Sequence, residues 1–95
     1  MNNQSPPTTS INVVFAIDGM VRAQASIVLP YFAPLNMGDT VVIGSEFANV
    51  DTIQFTPHRH RLFVFCSWVY DPTEVENLAD ALKDAAAEGW TIECS

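Results

Sequence analysis

Leu62-Phe63-Val64-Phe65-Cys66-Ser67-Trp68-Val69-Tyr70 decides the fold, and it runs straight into a helical pattern over Pro72–Glu88. The stretch is rich in aromatic and β-branched residues, which pack well on a pleated surface. Side chains alternate faces along a strand. Leu62, Val64, Cys66, Trp68 and Tyr70 therefore share one face, and Phe63, Phe65, Ser67 and Val69 share the other. Both faces are apolar, which predicts an inner strand covered on both sides.

The helix that follows carries its own start and stop signals. Asp71 can cap the first turn, Pro72 suits the first helical position, and Glu74 stands where a capping-box acid reaches back. Val75, Leu78, Ala79, Leu82, Ala85 and Ala86 follow the i, i+3, i+4, i+7 spacing of one apolar stripe. Gly89 is the natural residue just past the helix end, and Trp90 can fold back on the last turn. Thr91–Cys94 then reads as a short final strand.

Upstream, Ile11–Asp18 and Met20–Leu29 alternate in the strand manner on either side of Asp18-Gly19. That pair suits a type I′ turn, because glycine tolerates positive φ. Residues 30–37, with Pro30 and Pro34, cannot form a regular central strand and read as an apolar loop lying across the body. Gly38-Asp39 turns the chain into a strand at Thr40–Ile43, which Gly44 ends. Glu46–Val50 has no clear assignment, Asp51–Thr56 reads as a strand, and Pro57–His60 turns the chain into the central strand.

These elements place the chain in the α+β class: a small curled antiparallel β-sheet or partial barrel of five to six strands, with one C-terminal amphipathic helix packed on it. One helix covers one face of a sheet. The other face must be closed by curling, covered by the 30–37 loop, or paired with another copy. Curling is the leading expectation and a homodimer its rival. Residues 1–10, polar and bearing Pro6 and Pro7, read as a disordered N-terminal tail before a single domain at 11–95.

Composition narrows the function. With 95 residues there is one domain and one core. No apolar run approaches the roughly 20 residues of a membrane span. No secretory leader is recognisable at the N-terminus. Cys66 and Cys94 are too few for a disulfide scaffold and read as reduced thiols, so a cytoplasmic location is expected. The net charge of −7 is uneven. Residues 1–70 hold four acids against three arginines, whereas residues 71–95 hold seven acids against Lys83. Direct nucleic-acid binding is not expected, because phosphate contacts need Lys and Arg.

The carboxylates are the most informative candidate site. Glu76, Asp80, Asp84 and Glu88 recur every four residues and so form one ridge opposite the apolar stripe, with Glu74 beside its start. Like charges at this spacing cost roughly 0.2–0.5 kcal/mol per pair. The helix dipole also disfavours anions near its C-terminal end. A local choice without local benefit is where function is to be sought. The reading is a non-enzymatic protein-binding module whose acidic helix docks on a basic protein partner. Inhibitors that occupy nucleic-acid sites by imitating phosphate charge are of this kind. The alternatives are a solvated face kept acidic for solubility, a homodimeric accessory protein joined through the apolar sheet face, and a small ligand or metal binder. For the last, His58 and His60 would point the same way in an extended segment and could share a metal ion, but no third ligand can be named. No cofactor and no metal site is expected. Cys66, among Phe65, Ser67 and Trp68, reads as core rather than nucleophile, and Trp68, Tyr70 and Trp90 as packing rather than pocket lining.

Overall fold

The computed structural model describes residues 6–69 and 78–94. Six strands form one sheet: β1 (Thr8–Ile17), β2 (Met20–Leu29), β3 (Thr40–Ile43), β4 (Glu46–Thr56), β5 (Arg61–Trp68) and β6 (Thr91–Cys94), with one helix, α1 (Leu78–Ala87), between the last two. Their order across the sheet is β3-β4-β5-β1-β2-β6. The sheet curls into a half-barrel, and α1 lies in its hollow, touching β3 and β6 at the two edges. The α+β class and the curled sheet with one packed helix are thus present. The sheet is mixed rather than wholly antiparallel, because β1 and β5 run parallel in the centre. The β1-β2 pair and the β3-β4-β5 unit are each linked by local turns, β6 from the far end of the chain adds antiparallel to β2, and only the β1–β5 junction is parallel.

The turns form for local reasons. Asp18 and Gly19 both take positive φ, at 52° and 78°, as a type I′ hairpin requires. α1 ends in a full Schellman motif: Gly89 at φ 102°, its N–H on the Ala86 carbonyl at 3.2 Å, and the Trp90 N–H on the Ala85 carbonyl at 3.1 Å. Trp90 then buries itself in the core, 8% exposed. The segments 70–77, with the predicted capping residues Asp71, Pro72 and Glu74, lie outside the described residues.

Alternation explains the core. Ile11, Val13 and Phe15 from β1, Ala23 and Ala25 from β2, Ile43 from β3, Ala48 and Val50 from β4, and Val64, Cys66 and Trp68 from β5 all face the hollow and are buried. Five expectations need correction. β1 begins at Thr8, so residues 8–10 belong to the sheet rather than to a tail. Thr9 is fully buried, donating its hydroxyl to the Tyr31 carbonyl at 2.7 Å and accepting the Ala33 N–H at 2.9 Å, which pins the 30–37 loop. β4 is one strand, not a fragment. A bulge at Asp51 shifts its register, so Val50 and Ile53 both face inward and simple alternation breaks. A second bulge near Ala16 pairs Val21 with Ala16 and leaves it 40% exposed, although simple alternation along Met20–Leu29 would set Val21 on the same face as the buried Ala23 and Ala25. α1 buries Ala81 and Ala85 and half-buries Leu78 and Leu82, leaving Ala79 and Ala86 exposed. Finally, β5 is buried on one face, while on the other Phe65 and Ser67 are exposed and no described element covers them.

Candidate functional site

The acidic row is only partly what its spacing promised. Glu74 and Glu76 lie outside the described residues. Asp80 and Asp84 are exposed on α1. An α-helix turns about 100° per residue, so a row of every fourth residue advances by about 40° each step. Asp80 therefore lies nearly opposite the stripe of Leu78, Ala81, Leu82 and Ala85 that packs on the core, Asp84 less so, and Glu88 swings round toward the sheet. There its Oε2 accepts the Gly44 N–H at 3.2 Å. The free part of the ridge among the described residues is Asp80 and Asp84, while Glu88 ties the helix end to the β3–β4 turn.

That turn fits tightly. Gly44 takes φ 60°, and a Cβ there would stand 2.5 Å from the Ala81 carbonyl oxygen, so the helix backbone rests directly on the glycine. Beside it Glu46 is buried, 6% exposed, and accepts the Trp68 indole N–H at 3.1 Å. Trp68 also packs on Phe15, ring centroids 5.5 Å apart. Trp68 and Trp90 serve the core, as their positions suggested; Tyr70 lies outside the described residues.

The sheet face away from α1 is open. Phe63, Phe65, Ser67 and Val69 follow one another along it at alternate positions. Phe65 is 39% and Val69 47% exposed. Phe47 adjoins Val69 through a backbone bond and stands opposite Val42 on β3, extending the apolar strip to the edge strand. On β1 the same face carries Ser10, Asn12, Val14 and Ala16, paired with Phe63, Phe65 and Ser67 of β5. Across β4, β5 and β1 its charged groups are Asp51, which accepts the Ser67 hydroxyl, and Arg61 at one end.

The remaining candidates carry little chemistry. Pro57–Arg59 is a turn of 3-10 helix and His60 adopts φ 50°, so His58 and His60 do not lie in the extended segment that would align them. No group of three metal-ligating side chains occurs among the described residues. Burial, and secondarily the Asp51 carboxylate, push the Cys66 thiol up to about 11, so it is protonated at neutral pH. Cys94 is exposed on β6, and neither cysteine is in a disulfide.

The His58–Arg61 run, which the sequence marks as an exposed turn or a cationic spot for an acidic partner, forms part of a cleft that the sequence does not show. An open cleft of about 480 Å³ is lined by Pro6, Thr8, Arg59 and Arg61. Its parts come from distant positions that the parallel β1–β5 pairing brings side by side, Thr8 opposite Arg61. No helix among the described residues is long and apolar enough to cross a membrane. The chain matches no known protein family, no curated protein and no solved structure.

Proposed function

We propose that this chain is a non-enzymatic binding protein that works as a homodimer, two copies meeting through the open sheet face. The observation that carries the reading is the face itself: Val42, Phe47 and Val69 adjoin one another exposed toward the β3 edge, and Phe65 stands exposed further along β5, beyond Ser67 and its bond to Asp51; across β4, β5 and β1 the face carries one acid and one base. Exposed apolar patches of several hundred Å² mark interaction sites. A second copy is the occupant that the charge favours. Each chain carries −7, and charges at close contact escape the screening that salt provides beyond about 8 Å. Two copies approach most easily where few carboxylates are set against each other, and across β4, β5 and β1 this face carries Asp51 alone. A two-fold contact would leave both acidic helices pointing outward.

The test is solution mass. The 10.5 kDa chain is expected at twice that mass at high micromolar concentration, and Phe65→Asp should return it to the monomer with an unchanged circular dichroism spectrum. A wild type that stays monomeric sinks the reading.

A second reading, docking of the acidic helix on a basic protein partner, one that grips nucleic acid included, is favoured by the exposure of Asp80 and Asp84 on the side of α1 away from the core. Capture of a basic protein from a lysate by the wild type, and its loss with Asp80→Asn/Asp84→Asn, would support it. Capture unaffected by the double variant would remove the helix as the docking element.

A further inference from the structure

The end of the sheet farthest from the β3–β4 turn is cationic in an otherwise acidic protein. Strand register gathers three segments there. Thr8 and Thr56 flank Arg61, Leu29 pairs with Thr9, and Phe32 packs edge-on against Phe55 at 5.8 Å. Segments 6–9, 28–35 and 54–63 contain Arg59, Arg61, His58 and His60, and no Asp or Glu. Two of the chain's four Lys and Arg residues thus line one cleft together. Neither Arg59 nor Arg61 forms an ion pair with a described residue, although eleven acids are available in the chain. The guanidinium of Arg61 stands 6.0 Å from the centre of the Phe63 ring, a contact that restrains the side chain while leaving its N–H donors free.

We infer that this cleft is an oxyanion site that takes the phosphate group of a small phosphate monoester. Two guanidinium groups two residues apart repel each other, and a bound dianion removes that cost. A planar guanidinium fork matches two phosphate oxygens, so two forks match a group with three free oxygens better than a single carboxylate, which one fork satisfies. Thr8 places a hydroxyl in the same lining, a donor for a remaining oxygen. The cleft volume falls in the roughly 300–1,000 Å³ range of small-ligand sites and exceeds what a bare phosphate fills, which leaves room for an organic group. The inference does not depend on the dimer: the cleft is complete within one chain.

The experiment is a nuclear magnetic resonance titration of the ¹⁵N-labelled protein with inorganic phosphate, phenyl phosphate and benzoate, repeated on Arg59→Gln, Arg61→Gln and Phe65→Asp. Both phosphate compounds should give saturable shifts centred on Thr8, Arg59 and Arg61, phenyl phosphate the tighter. Each arginine variant should weaken binding about tenfold or more, while Phe65→Asp leaves it intact. Both arginines are exposed, and the spectra of the unliganded variants verify the fold. Three results would overturn the inference: no saturable shift with either phosphate compound, unchanged binding in both arginine variants, or benzoate binding as well as phenyl phosphate.

Discussion

The two faces of β5 carry similar chemistry and meet different surroundings. On one, Val64, Cys66 and Trp68 are no more than 7% exposed, sealed by β1, β4 and α1. On the other, Phe65 and Val69 are 39% and 47% exposed, although phenylalanine gains as much from burial as any residue on the covered side. The difference lies outside the strand. A single helix, described over Leu78–Ala87, crosses the hollow between the two sheet edges and covers one face, and the curl that wraps the sheet around it turns the other face outward. Apolar alternation specifies which residues share a face. Which face is covered is set by the single covering element, and a face left apolar without cover is the place to look for a partner.

Truncating one residue on each face of β5 should give very different losses. Trp68→Ala removes a packed indole together with its bond to Glu46 and should cost about 3–5 kcal/mol. Phe65→Ala should cost less than about 1 kcal/mol when measured at low micromolar concentration, where the monomer is populated. Urea denaturation of both variants reads the difference directly. Equal losses would show that the outer face is also packed within one chain, and the dimer reading would lose its basis.

The covered face can be tested again where the helix backbone meets the sheet edge. Gly44→Ala places a methyl against the Ala81 carbonyl at a left-handed φ and should cost about 3 kcal/mol, combining backbone strain with a clash that only movement of α1 can relieve. Gly19→Ala shares the positive φ but meets nothing within 4 Å, and should cost about 1 kcal/mol. Similar melting temperatures for the two variants would mean that α1 is not held against the β3–β4 turn.

Local chemistry made much of this fold legible. Asp18-Gly19 announces its hairpin, and Gly89-Trp90 announces a Schellman end with its returning side chain, because each depends on backbone geometry within a few residues. What escaped depends on contacts far along the chain. Thr8–Ser10 look like a polar tail until Thr9 is seen to bridge Tyr31 and Ala33. Glu46–Val50 look featureless because their alternation, though regular, turns an acid inward at Glu46 and a phenylalanine outward at Phe47. The acidic spacing of Asp80, Asp84 and Glu88 was plain, yet the role of Glu88 is set by Gly44, forty-four residues earlier. The arginine cleft was hidden for the same reason: only parallel pairing of β1 with β5 sets Thr8 beside Arg61.

The two cysteines repeat the contrast between covered and open surface, with a smaller effect. Cys94 should react at once with a thiol reagent in the native protein, and Cys66 only as the protein unfolds. The Cys66 thiol, raised from 9.0 to about 11 by burial and then by Asp51, makes a pH prediction whose sign is fixed. Between those two values the unfolded chain has lost the proton that the folded chain retains. The contribution to stability is therefore complete below about pH 9 and declines as pH rises toward 11, by at most about 2 kcal/mol. Tyrosine and lysine also titrate in this window, so the control is Cys66→Ala, which should be less stable at neutral pH but should flatten the decline. A decline of the same steepness in wild type and variant would show that the covered face does not hold this thiol in its neutral form.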